Sequence, residues 1–205
     1  ACVTHADIED GRVPDVTRGA MQRVASAIAY RAVRNRGTVG GSLNHADPSA
    51  DWISSLTALG ATLSLRGAKG VRRVGMKDFI LGALETAARP DELLETVHIP
   101  MMPVSARWGY VKTCRKTGEF AHAIGAILID PEAGMARVVI GAVDAAPIVV
   151  EEAEELFGGR ICGDFGQRFD ARVADRLLAS SGVASAADRH IHVTVLRRAV
   201  LEAAA

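Results

Sequence analysis

The sequence predicts an α+β fold. Strand-like segments come first and helical segments last, with no regular strand–helix–strand alternation. Three strand candidates between residues 107 and 143 are also spaced too closely for helical crossovers, which favours an antiparallel meander. There is no GxGxxG after a strand and no Walker A motif, so nothing supports a Rossmann or P-loop domain.

Taken in order, Cys2-Val3-Thr4 is β-like and an acidic turn follows over Asp7–Gly11. Val16, Ala20, Val24, Ala27 and Ile28 predict one amphipathic helix over Val16–Tyr30. A glycine-rich stretch, Arg34 to Asp51, reads as a loop. Residues 51–60 predict a short helix with Asp51 as N-cap and Gly60 as its stop. Ala61–Leu65 and Val71–Val74 predict a hairpin around a turn at Gly67–Gly70. Met76–Leu84 reads as a helical turn carrying Phe79, and Leu93–Ile99 as a strand ended by Pro100 and Pro103.

Pro100–Pro103 is the best boundary, dividing the chain into residues 1–103 and 104–205. Beyond it, Arg107–Cys114, Ala121–Ile129 and Met135–Val143 predict three strands, the last two joined by a turn at Pro131–Gly134. Val149–Phe157, Phe169–Ala179 and Arg189–Ala204 predict helices, and Glu151, Glu152, Glu154 and Glu155 a solvated face near the start of the first.

The 205 residues fit one large domain or two small ones. Hydrophobic residues make up 49%, enough for a well-buried core. Zero net charge gives no electrostatic case for nucleic acid or an anionic membrane, and the apolar runs are too short for a membrane span. Three scattered cysteines, Cys2, Cys114 and Cys162, exclude a disulfide framework or an iron–sulfur ligand set and make a reducing cytoplasm the default; the last two read as small packing residues. His190 and His192, two apart on a helix, do not share a face; they read as surface or interface residues, not metal ligands.

The chemistry concentrates in Gly37-Thr38-Val39-Gly40-Gly41-Ser42. Glycines let backbone approach a ligand, and successive free N–H groups make an anion-binding nest. Thr38, Ser42 and Asn44 add groups for sugar or phosphate oxygens, His45 a donor to phosphate, and Asp51 an acceptor. The pattern suits a dinucleotide lying along a loop. On its own, it is equally that of a tight turn.

The run from Arg34 to Leu43, followed by Ala46-Asp47-Pro48-Ser49-Ala50-Asp51, resembles the FAD-binding medium subunit of the molybdenum hydroxylases, the xanthine dehydrogenase and carbon monoxide dehydrogenase family. Its pattern there is I-R-N-x-G-T-I-G-G-N/S/D-L, then A-D-P-x-A-D. Asp91–Pro100, Gly109–Lys112 with Arg115–Ala121, Val138–Val143 with Pro147, and the closing helix with Arg197-Arg198 resemble further family segments, so the likeness covers essentially the whole chain.

The resemblance implies a second FAD-binding subdomain of the PCMH type over 1–103. Residues 104–205 would form a C-terminal domain of three antiparallel strands plus helices. The family's first subdomain, with its A-G-G-x-S-L loop, is expected before Ala1, so the chain reads as a fragment, a processed product, or a subunit whose N-terminal part lies elsewhere. By position, Thr38, Val39, Gly40, Gly41 and Ser42 would contact the FAD diphosphate and adjoining sugar, and His45 would face the cofactor. Asp51 would meet the adenosine side, Leu94 would pack on a ring, and Lys112 would approach the flavin; alone, Leu94 reads as core and Lys112 as a surface charge.

The implied function is electron transfer from the iron–sulfur clusters of a small subunit through FAD to an external acceptor. Substrate would be oxidised at a molybdenum cofactor on a large subunit, in a dimer of heterotrimers. The alternative is a structural or assembly subunit that keeps the fold without holding FAD.

Overall fold

A computed structural model describes residues 1–150 and 153–205. In chain order come α1 (His5–Glu9), α2 (Ala20–Ser26), α3 (Arg31–Arg34), α4 (Val39–His45) and α5 (Asp51–Ala58). They are followed by β1 (Thr62–Gly67), β2 (Gly70–Gly75), β3 (Ile80–Gly82), β4 (Glu85–Thr86) and β5 (Leu93–His98). The second half holds β6 (Arg107–Thr113), β7 (Ala123–Asp130), β8 (Met135–Gly141), β9 (Ile148–Val150), α6 (Phe165–Arg168), α7 (Ala171–Ser180) and α8 (Ala186–Ala204).

The helices of the first half are more broken than periodicity predicts. Asp7–Gly11 is a turn only at Asp10 and Gly11: Asp7–Glu9 belong to α1, started by a capping box between Thr4 and Asp7. The predicted Val16–Tyr30 helix survives only as α2, because Arg18 and Gly19 before it and Ala29 after it have positive φ. The Asp15 carboxylate accepts from the N–H of Thr17 and of Gly19, which holds the chain out of helix there.

The glycine-rich stretch is not a loop throughout. Its centre is α4, and the N-cap Thr38 accepts from Gly41 N–H at 3.0 Å. The hairpin β1–β2 and the strand β5 form as predicted, in a three-stranded antiparallel sheet of order β2-β1-β5. Only Met76–Asp78 of the predicted Met76–Leu84 turn is helical (3₁₀); a small hairpin, β3–β4, follows it.

In the second half the meander β6-β7-β8 forms in the predicted order, and β9 adds a fourth strand that the sequence reading had placed in a helix. Ile148, Val149 and Val150 are β-branched and pair with β8; the helical part of Val149–Phe157 is a 3₁₀ turn from Ala153. Glu151 and Glu152 lie outside the described residues. Cys2 and Cys162 are exposed and Cys114 half-buried, so none is a core packing residue.

All eight residues of β7 are buried because both faces of this sheet are covered. Ile124, Ala126 and Leu128 join the core built around α5, whereas Ile127 and Ile129 join the core under α7 and α8. The α5-side core runs without a break from Ile8 to Val139, across the Pro100–Pro103 boundary.

Helix α8 lies very close to the sheet. A Cβ at Gly109 would stand 1.9 Å from the backbone oxygen of Ala199. Gly109→Ala must therefore push α8 off β6 and is expected to destabilise the protein by about 3 kcal/mol or more. The check is the urea unfolding midpoint.

Candidate functional site

Helix α5 is the centre of the site, and all eight of its residues are buried. Two of its hydroxyls find partners locally: Ser55 Oγ donates to Asp51 O, and Thr57 Oγ1 to Ile53 O, whereas the buried Ser54 Oγ has no partner among the described residues. Trp52 Nε1 donates to His5 Nδ1 at 3.0 Å. Asp51 is not the N-cap; Ala50 is, and Asp51 is the first helical residue, where a carboxylate still meets the positive end of the helix.

The Asp51 carboxylate is 8% exposed and points at β6. Its Oδ1 accepts from the Tyr110 hydroxyl at 2.6 Å and from Lys112 Nζ at 2.7 Å. Lys112 also donates to Ala27 O, just past α2, at 2.8 Å. Tyr110 and Lys112 are two apart on a strand and so share a face. Burial first, and then the Asp51 charge, push the Tyr110 hydroxyl well above its ordinary pKa. The sequence reading placed Asp51 and Lys112 at opposite ends of a cofactor; the fold puts them in contact.

Above this pair lies a cleft of about 200 Å³, lined by Ser42, His45, Asp51 and Lys112 together with Ile28, Val33 and Phe120. Phe120 is 68% exposed. Tyr30, also exposed, rests against Gly118, another lining residue. Four predicted site residues thus converge here from α4, α5 and β6. The aromatic rim is what sequence reasoning missed, although Phe120 sits inside one of the recognised segments.

The remaining predicted residues lie elsewhere. Leu94 is in the core, paired with Leu65 in the β1–β5 ladder, and does not line the cleft. Val39 and Gly40 are buried against the start of the chain: Val39 N–H donates to Val3 O at 3.1 Å and Gly40 N–H to Ala1 O at 2.9 Å. A side chain at Gly40 would collide with Ala1. Gly41 N–H goes to Thr38 Oγ1 and Ser42 N–H to Thr38 O. The run of free N–H groups expected of a nest is therefore committed within the chain. Thr38, Ser42 and His45 side chains, with the exposed face of Gly41, are what this stretch offers a ligand.

Of the two histidines expected at the surface or an interface, His190 is exposed, whereas His192 is buried within the chain at 4% exposure. Among the described residues, no group of three or more metal-ligating side chains is present.

Residues 1–102 match the FAD binding domain in molybdopterin dehydrogenase, and the chain belongs to that family. It is 28% identical over 219 residues to caffeine dehydrogenase subunit beta of Pseudomonas sp. strain CBB1, covering 95% of this chain and 74% of that one. It is 34% identical over 135 residues to the carbon monoxide dehydrogenase medium chain of Afipia carboxidovorans, covering 64% of this chain and 47% of that one. Among solved structures, CO dehydrogenase from Oligotropha carboxidovorans superposes with a TM-score of 0.81 at 27% identity, covering 98% of this chain and 73% of that one.

Two predictions follow from the buried polar groups. Lys112→Met leaves the Asp51 carboxylate short of its cationic partner and is expected to cost about 3 kcal/mol or more, read by urea unfolding. Adding Asp51→Asn to that variant should recover part of the loss.

Burial holds the pKa of both His5 and His192 below its ordinary value of 6.5. The unfolded chain therefore takes up these protons first as pH falls. Their contribution to stability is complete above about pH 6.5 and is lost below it. Denaturation midpoints should drop as pH falls from 6.5, and His5→Gln, which keeps an acceptor for Trp52, should flatten that slope.

Proposed function

We propose that this chain is the FAD-holding electron-transfer part of a molybdenum-dependent hydroxylase or dehydrogenase. The observation that carries the reading is the convergence of Ser42, His45, Asp51 and Lys112 on one cleft, from segments far apart in sequence. When bound, FAD supplies a group that takes and releases electrons singly or in pairs.

The chain's own residues would hold and orient that group. Ser42 and His45, with Thr38 beside them, provide hydrogen-bonding side chains for sugar and phosphate oxygens. Lys112 provides a fixed cation at the cleft floor, held by the Asp51 carboxylate and Ala27 O. Tyr110 keeps the carboxylate in place from beneath. Tyr30, Val33 and Phe120 give an apolar rim that excludes water from a ring. At about 200 Å³ the cleft takes a part of the dinucleotide, so the site is one wall of a larger one.

In this reading Thr38, the exposed face of Gly41 and Ser42 lie on the diphosphate side, Val39 and Gly40 hold that stretch against residues 1–3, and Leu94 supports the wall from the core. Residues 1–103 form the cofactor-binding unit and 104–205 the C-terminal domain. Molybdenum cofactor and iron–sulfur clusters belong to large and small partner subunits, in a cytoplasmic complex that is a dimer of heterotrimers. No helix among the described residues is long and apolar enough to cross a membrane.

A second reading, a structural subunit that holds no FAD, draws on the internal use of the Val39, Gly40 and Gly41 N–H groups. Flavin absorbance of the purified complex, with Ser42→Trp as the variant, separates the two. The electron-transfer reading expects about one FAD per chain, and its loss together with acceptor reduction when Trp fills the cleft. A colourless complex, or unchanged activity in the variant, favours the structural subunit.

A further inference from the structure

A second cavity, of about 630 Å³, shares Ser49 with the cleft. Its other walls are His122 before β7, the loop 142–146 after β8, the loop 181–185 between α7 and α8, and Asp188 and His192 on α8. The volume falls in the range of about 300–1,000 Å³ typical of small-molecule sites.

These walls are tied in place by specific bonds. Ala142 N–H donates to Pro48 O at 3.0 Å, and Ser49 Oγ to Ala121 O at 3.0 Å. Arg189 holds the opposite loop, donating to Val183 O at 3.1 Å and Ala184 O at 2.7 Å while pairing with Asp175 at 2.9 Å.

His192 lines this cavity, is 4% exposed and makes no hydrogen bond among the described residues; its Nδ1 is sealed off without a partner. An imidazole nitrogen buried without a hydrogen-bond partner costs the fold free energy as it stands. The imidazole offers one donor and one acceptor, whereas the neighbouring Asp188 and Asp144 carboxylates only accept. A ligand that presents a C=O or ring nitrogen to the imidazole and an N–H to a carboxylate satisfies both. The Asp144 and Asp188 carboxylates disfavour an anion, and the positive N-terminal end of the 19-residue α8 offsets part of their attraction for a cation.

We propose that this cavity is a second ligand site, for an uncharged, ring-sized molecule carrying a carboxamide or an equivalent N–H and C=O pair. The proposal rests on this cavity's own residues and stands independently of FAD binding. Its test is an NMR titration of the full chain, reading the His192 imidazole resonances, with benzamide and benzoate as probes that share a ring and differ in charge and N–H.

Benzamide should shift the His192 signals and bind at least about tenfold more tightly than benzoate. Ala145→Trp and Ala184→Trp, each placing a bulky ring at an exposed position on the rim, should abolish the shift without altering the fold. The proposal is overturned by benzoate binding as well as benzamide, by a shift that persists in both variants, or by no shift up to about 10 mM benzamide.

Discussion

The structure depends on one buried acid. Asp51 stands at the first position of a helix with every residue buried, so its carboxylate must be paired within the protein. The pairing comes from Tyr110 and Lys112 on β6, and Lys112 carries the link on to the end of α2. At the other end of α5, Arg137 on β8 donates to Ala58 O at 2.8 Å. An acid at the N-terminus and a cation at the C-terminus both interact favourably with the helix dipole. Each ties the same helix to the second-half sheet, which explains why one core crosses the proposed domain boundary.

The same helix fixes the segment before it. Residues 46–50 must turn between α4 and α5 while α5 is held by the sheet. Ala46 closes α4 at positive φ, Asp47 Oδ1 accepts from Ser49 N–H, and Pro48 O and Ser49 Oγ reach across to Ala142 and Ala121. Four small or polar residues thus join α5 to the edges of both cavities. A motif that looks like a ligand signature in sequence is also a structural hinge-pin, and the two roles need the same residue types.

Much of the sheet architecture was legible because strand alternation and turn residues are local signals: Gly60, the β1–β2 hairpin and the β6–β8 meander stand where the sequence places them. The failures have physical causes. The periodicity of Val16–Ile28 says nothing about Asp15, whose carboxylate diverts the backbone of Thr17 and Gly19 before α2 begins. Thr4-His5-Ala6-Asp7 carried a readable capping box, hidden by the acidic composition around it. At the site, Ser42, His45, Asp51 and Lys112 were legible and do converge. Tyr110 was recognisable from its i, i+2 spacing with Lys112, whereas Tyr30 and Phe120 were not, since exposure of an aromatic ring is decided by tertiary packing.

The glycine-rich stretch shows how tertiary context redirects a motif. Its glycines suggest N–H groups left open for an anion, yet Thr4 and Thr38 form an antiparallel bridge that brings residues 1–3 alongside, and the N–H groups of Val39 and Gly40 turn to their carbonyls. Helix α4 takes up the next two through the Thr38 side chain and carbonyl. A polar ligand on this face is therefore recognised by hydroxyl and imidazole groups on one side of a short helix, and by the cation below it. Close backbone approach is used at Gly40 to admit Ala1, so the smallness of that residue serves the fold first and the ligand only through it.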